Sequence, residues 1–240
     1  MKQPHRILEY PTVYDKDFIS KIGEEGMLKQ ADDQIFFESH RIFLTSNLYW
    51  GIGAVAFGVI GLFMPGDTEL PENDKYYILL FILLILGGLF WMFYGLYANK
   101  NYKIFELNRL TGMVTYPDSY FRKPLKGRFK ELHAVITVTG GVDDYVDSEY
   151  LKFVNTFNPR RFTLLYTFYG SEPYKDWSFY VWYMDKNRPL PPGEIFDAYR
   201  ERDFERRKKL GFPKPLYGSN IPTPEATPAQ QAERERIGGW

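Results

Sequence analysis

Two long apolar runs interrupt an otherwise mixed chain. The first, Phe43–Met64, reads FLTSNLYWGIGAVAFGVIGLFM, and the second, Tyr76–Ala98, reads YYILLFILLILGGLFWMFYGLYA. Neither carries an Asp, Glu, Lys, Arg or His. Each is about 22 residues long, roughly 33 Å as a helix, which matches a hydrocarbon core of about 30 Å. Between them Pro65–Lys75 holds two prolines, Gly66 and four acids, a stretch that a helix does not cross. The pattern therefore predicts a transmembrane hairpin over residues 43–98, with helices at 43–64 and 76–98 and a short exposed tip.

Beyond the second run the period changes to that of strands. Tyr102–Asn108, the turn Arg109-Leu110-Thr111-Gly112 and the run Met113–Pro117 read as a β-hairpin. Leu132–Thr139, Leu151–Phe157, Phe162–Tyr169 and Ser178–Met184 are further strand candidates, filled with Tyr, Phe, Val, Thr and Trp. Pro191-Pro192-Gly193 closes this region, and a helix is expected over 194–209, acidic at its start and basic at its end. Its apolar members Ile195, Phe196 and Tyr199 cover only the first half, leaving the basic half either solvated or facing something acidic. The arm, residues 1–42, offers a short helix near Asp15–Ile22 and a strand at Gln34–Glu38. It is expected to pack on the β-rich domain, residues 99–212. Residues 213–240 hold five prolines and are expected to be a flexible tail, ending on an unusual terminal Trp240. The fold class expected is an α+β membrane protein: a two-helix hairpin plus a mainly antiparallel β domain closed by a C-terminal helix.

Lys and Arg are distributed unevenly about the hairpin. The tip holds Lys75 alone, the arm holds six, and Lys100, Lys103 and Arg109 follow the second helix. This bias places both termini in the cytoplasm, with the protein a multi-pass component of a bacterial inner membrane. Gly51, Ala54, Gly58 and Gly61 share one face of the first helix, and Gly88 and Gly95 one face of the second. Small residues let membrane helices approach closely. The preferred role for this stripe is packing one arm of the hairpin on the other, the second a homo-oligomer. The absence of ionisable residues within the spans argues against a pump or a proton-coupled transporter.

Charge and composition narrow the chemistry. Thirty basic residues balance thirty acidic ones, so a nucleic-acid partner is not expected. There is no cysteine, which removes disulfides, thiolate metal sites and a cysteine nucleophile. His5, His40 and His133 lack metal-ligand spacing, and no GxSxG, HExxH, P-loop or usable GxGxxG occurs. The acids Asp143, Asp144, Asp147 and Glu149 lack the EF-hand pattern. No cofactor, metal or catalytic residue is assigned, and the protein is expected not to be an enzyme. The segment FRKPLKGRFK is more informative: Arg122, Lys123, Lys126, Arg128 and Lys130 alternate with apolar residues. It reads as a contact for an anionic membrane surface or a partner, or as a solvated connection between strands.

The order of strands closed by one amphipathic helix, with Asn108-Arg109-Leu110-Thr111-Gly112 at the first turn, resembles the pleckstrin-homology-like fold over roughly residues 100–210. The whole layout resembles uncharacterised two-pass inner-membrane proteins encoded beside type VI secretion and related toxin systems. That resemblance implies a non-enzymatic, membrane-anchored protein-binding module, an immunity or accessory protein whose partner is a toxin or an envelope component. A scaffold or lipid-sensing subunit of an envelope complex and a channel or transporter subunit are the alternatives.

Overall fold

The computed structural model describes residues 4–15, 28–39, 42–63, 74–101, 104–116, 123–139, 148–154, 156–157, 166–168 and 172–240. The chain is α+β and forms two compact units, one from residues 1–39 and 104–240 and the other from 40–103.

The second unit is a helical pair, α1 (Ile42–Phe63) and α2 (Asp74–Asn101). Gly51 lies against Gly88 and Met92, Gly58 against Ile85, and Gly61 against the Phe81 ring, so the helices run antiparallel. Within α2, Tyr76–Leu96 is long and apolar enough to cross a bilayer, and only 17% of its most apolar window is buried. The apolar stretch of α1 whose side chains are described, Leu48–Phe63, is shorter. Helix α2 continues through Gly87-Gly88 without interruption. The tip, residues 64–73, lies outside the described residues, as do most of the helix expected at 15–22, Arg122, His40 and the acids at 143–147.

The first unit holds two antiparallel sheets. β1 (Leu28–Ala31), β2 (Ile35–Ser39), β3 (Ile104–Asn108), β4 (Met113–Tyr116) and β5 (Leu125–Arg128) form a five-stranded meander in that order. β6 (His133–Thr139), β7 (Ser148–Val154) and β8 (Tyr166–Phe168) form the second sheet. Two strands of the first sheet come from the arm, which is thus part of this unit. β2 and β3 pair out to Ser39 and Ile104, so the helical pair is the connection between two neighbouring strands.

Helix α3 (Pro173–Met184) replaces the strand expected at 178–184. Its Phe, Tyr, Val and Trp suit a pleated surface by propensity. They are buried on nearly every side of the helix, however, and Pro173 sits at its first turn, where proline starts helices well. Burial overrides propensity here. Phe179 packs on Phe36 of β2, and Tyr180 packs on Phe105 of β3 and Phe153 of β7, so α3 fills the core shared by both sheets. A 3-10 turn (Glu194–Tyr199) leads into α4 (Arg200–Lys209). The turn is entered through Gly193, whose φ of 139° and contact with the Tyr14 carbonyl exclude a side chain.

The stretch expected to be a flexible tail instead carries α5 (Pro228–Gly238), capped by Thr227 and ended by Gly239 in the left-handed region. Proline content was a poor guide, because buried Glu225 pairs with Arg207 of α4 and with Arg234 of α5, and Glu233 pairs with Lys208 of α4. Strand β5 also departs from expectation. Leu125 and Phe129 are buried while Lys126 and Arg128 are exposed, a two-residue alternation that the basic composition and Gly127 disguise.

Candidate functional site

Four glycines line the seam of the helical pair. A Cβ on Gly51 would sit 2.8 Å from the Met92 amide nitrogen, and one on Gly88 2.8 Å from the Gly51 carbonyl oxygen. Gly58 approaches Ile85 and Gly61 meets Phe81. Gly95 is buried and Ala54 half-buried, whereas Gly53 and Gly87 face open space. Outside the seam the large residues point away: Trp50, Phe57, Ile60, Phe63, Leu83, Leu86 and Phe90 are all exposed.

The basic segment divides. β5 is an edge strand, and Lys126 and Arg128 share its face with their register partners Thr115 and Met113. Lys123 is exposed just before the strand. Lys130 follows in a 3-10 turn (Phe129–Glu131) and lines a separate cleft of about 390 Å³ with Pro4, His5, Arg6, His133 and Trp177. The Arg6 guanidinium lies over the rings of Tyr217, Phe129 and Trp177, 4.8, 5.0 and 5.7 Å from their centroids. Its Nη2 donates to the Lys130 carbonyl at 3.2 Å.

The largest polar feature of the core was not foreseen. Arg109, in the β3–β4 turn, is fully buried. It donates to the carbonyls of Tyr183 and Arg188 and lies 3.6 Å from Asp203. Arg207 bridges Asp203 at 2.8 Å and Glu225 at 2.7 Å, the latter through both guanidinium nitrogens. Arg234 reaches Glu225 at 3.1 Å and the Thr223 carbonyl at 2.8 Å. Trp240 finishes the chain: Arg234 lies 4.3 Å from its ring centroid, and its Nε1 donates to the Phe212 carbonyl at 2.8 Å. Burial alone would raise the Asp203 carboxyl; Arg109, Arg207 and Arg206 outweigh it and hold it below the ordinary carboxylate range. The acidic counterpart of the basic half of α4 is therefore the chain's own end, through Glu225 and, for Lys208, Glu233. An Asp203–Arg207 spacing of four on a helix was the available signal. Arg109 gave none, because a turn arginine reads as solvated.

A second group of acids, buried Glu38 and half-buried Asp176, flanks the arm. Asp176 on α3 accepts from Thr12 Oγ1 at 2.9 Å, and burial, with help from Glu38 and Glu172, pushes its carboxyl up to about 6. Burial, and then Glu38 and Asp176, also raise the Tyr14 phenol well above its usual value. Asp176 helps to seat the arm on α3, where the Leu8 and Glu9 amides also donate to Ser178 Oγ.

Among the described residues, no group of three or more His, Asp or Glu is placed to hold a metal ion. Comparison with protein-family models, with curated proteins and with solved structures finds no match for this chain.

Proposed function

We propose that the protein is a non-enzymatic, membrane-anchored binding module. The helical pair would cross a bacterial inner membrane twice, with both termini cytoplasmic. One observation carries the anchor: among the described residues most large apolar side chains of α1 and α2 are exposed, while Gly51, Gly58 and Gly88 of the seam are buried. In water such a surface invites association; in hydrocarbon it is the expected exterior. The Lys and Arg bias supplies the orientation. The sheets that bracket this insertion, followed by α3, support the pleckstrin-homology-like reading, with 173–184 as the closing helix in place of 194–209.

Binding rather than chemistry is favoured because the main cluster of buried ions in the β-rich unit holds its own segments together, Arg109, Asp203, Arg207, Glu225 and Arg234 at the C-terminal end, while half-buried Asp176 holds the arm. The proposed partner is a protein, a toxin or an envelope component, in the setting of a toxin-secretion system. Lys123, Lys126 and Arg128 on the edge of the first sheet offer it, or the anionic leaflet, a basic surface. The anchor is tested by alkaline carbonate extraction and by reporter fusions at Gly66 and the C-terminus. The chain should stay with the membrane pellet and the two fusions should report opposite sides. Release into the supernatant would end the membrane reading, and a periplasmic C-terminus would reverse the orientation.

A further inference from the structure

The cleft beside Arg6 combines several donors with no carboxylate side chain among the described residues of its lining. Three separated stretches build it: Pro4–Arg6, Lys130–Ala134 and Trp177. Arg6, Lys130, His5 and His133 supply the polar groups, while Leu132, Ala134 and Trp177 are buried and form its walls.

Arg6 is held unusually firmly for a residue so near the start of the chain. Three aromatic rings lie against its guanidinium and two carbonyls, those of Phe129 and Lys130, accept from Nη2. Among the described residues its buried Nη1 has no hydrogen-bond partner. Among the described residues neither Arg6 nor Lys130 has an acidic partner within ion-pair distance. Aromatic faces and carbonyls stabilise a guanidinium but leave its charge uncompensated. Buried donors are normally paired, and this one belongs to a side chain that lines the cleft, so an acceptor from outside the chain would complete it. Burial also lowers the Arg6 pKa, a direction that an arriving anion would oppose.

We propose that this cleft is a binding site for a phosphate group. A planar carboxylate offers two oxygens, whereas four donor side chains, His5 and Arg6 from one stretch and Lys130 and His133 from another, suit a tetrahedral group with three or four. Arg6 Nη1 donates to one oxygen, the Lys130 ammonium supplies charge, and His5 and His133 donate from the rim. The cleft is larger than a bare ion requires and so admits phosphate carried on a bigger molecule, either a lipid headgroup or a free phosphorylated solute. Lys130 belongs to the basic segment discussed above, but capture of a soluble phosphate does not depend on the membrane reading. Failure of carbonate extraction would leave this site standing, and failure of phosphate binding would leave the anchor standing.

The test uses the full chain in a neutral detergent, titrated calorimetrically with inorganic phosphate and, separately, with short-chain phosphatidylglycerol, at fixed ionic strength set with chloride. We expect saturable phosphate binding with a dissociation constant of about 10 mM or tighter. Arg6→Gln should weaken it about tenfold, as expected for loss of a charge-assisted hydrogen bond. Because Arg6 also packs on three rings, the exposed pair Lys130→Gln and His133→Ala forms a second variant. That double variant should weaken binding about tenfold with an unchanged melting temperature. Phosphatidylglycerol binding more tightly than inorganic phosphate, and losing that affinity in the double variant, would assign the site to a lipid headgroup. Inorganic phosphate binding without the lipid would assign it to a soluble ligand. No saturable binding of either probe, or binding that survives unchanged in the double variant, overturns the proposal.

Discussion

At Gly51 and Gly88 helices α1 and α2 approach backbone to backbone. Between α4 and the last residues of the chain the approach is guanidinium to carboxylate, at Arg207 and Glu225. The helical pair removes side chains so that two surfaces can meet by dispersion alone. The C-terminal clamp does the reverse. It buries charge, which is tolerable only because each ion meets at least one opposite charge and Arg109 also reaches several carbonyls. The two designs fail differently. Adding bulk should damage the first, and deleting one charge should damage the second far more than its own contacts suggest.

The largest effect is therefore expected at Asp203. Asp203→Leu leaves Arg109 and Arg207 buried beside no compensating carboxylate on α4, and should destabilise the β-rich unit by about 3–5 kcal/mol. Urea unfolding of the full chain, followed by tryptophan fluorescence, measures this. A loss within about 0.5 kcal/mol would show that the clamp is dispensable.

Next comes pH. The Asp176 carboxyl is raised in the folded chain to about 6, so the folded state binds the proton more tightly than the unfolded one. Its stabilising contribution is complete below the unfolded value near 3.8 and is lost as pH rises through about 6. The loss is on the order of 3 kcal/mol, and Asp176→Asn should flatten the profile between about pH 4 and 6.5. Asp203, depressed rather than raised, acts in the opposite sense: its contribution is present above its unfolded value and disappears in strong acid. A profile in Asp176→Asn identical to the parent's would refute the assignment.

In the helical pair, Gly58→Leu should cost about 1–3 kcal/mol or prevent accumulation, because the added carbons meet Ile85 at once. Val59→Leu, on an exposed neighbour, should be nearly silent. Equal tolerance would mean that the seam is loose. The smallest effect is at the terminus. Trp240→Ala removes a cation–π contact and a hydrogen bond, about 1 kcal/mol, and should raise amide exchange in α5 before any change is seen in the sheets.

What could be read from the sequence was what local pattern controls. The two apolar helices, the β3–β4 hairpin and strands β6 and β7 follow from runs and turns whose signals lie within a few residues of each other. Helix α3 was missed because Ser178–Met184 has strand-like residues whose helical state is decided by Phe36, Phe105 and Phe153, distant in sequence. Helix α5 was missed because the value of Glu225 and Arg234 lies in Arg207, many residues away. The cleft went unnoticed for the same reason. Arg6, Lys130 and His133 meet only because the arm lies along α3, where the Trp177 indole donates to the His5 carbonyl.

The pairing of Ser39 with Ile104 bears on the order of folding. For an unstructured chain, closing β2 on β3 means bringing together two segments separated by the whole of the helical unit, an entropic delay. If the antiparallel helices associate first, their outer ends arrive together and the strands become local partners, as though joined by a tight turn. Removal of residues 40–103 and insertion of Asn-Gly between Ser39 and Ile104 should imitate that shortcut. The excised chain should refold faster than the parent and retain both sheets in its circular dichroism. Slow or absent refolding would show that the helices template the strands by more than proximity.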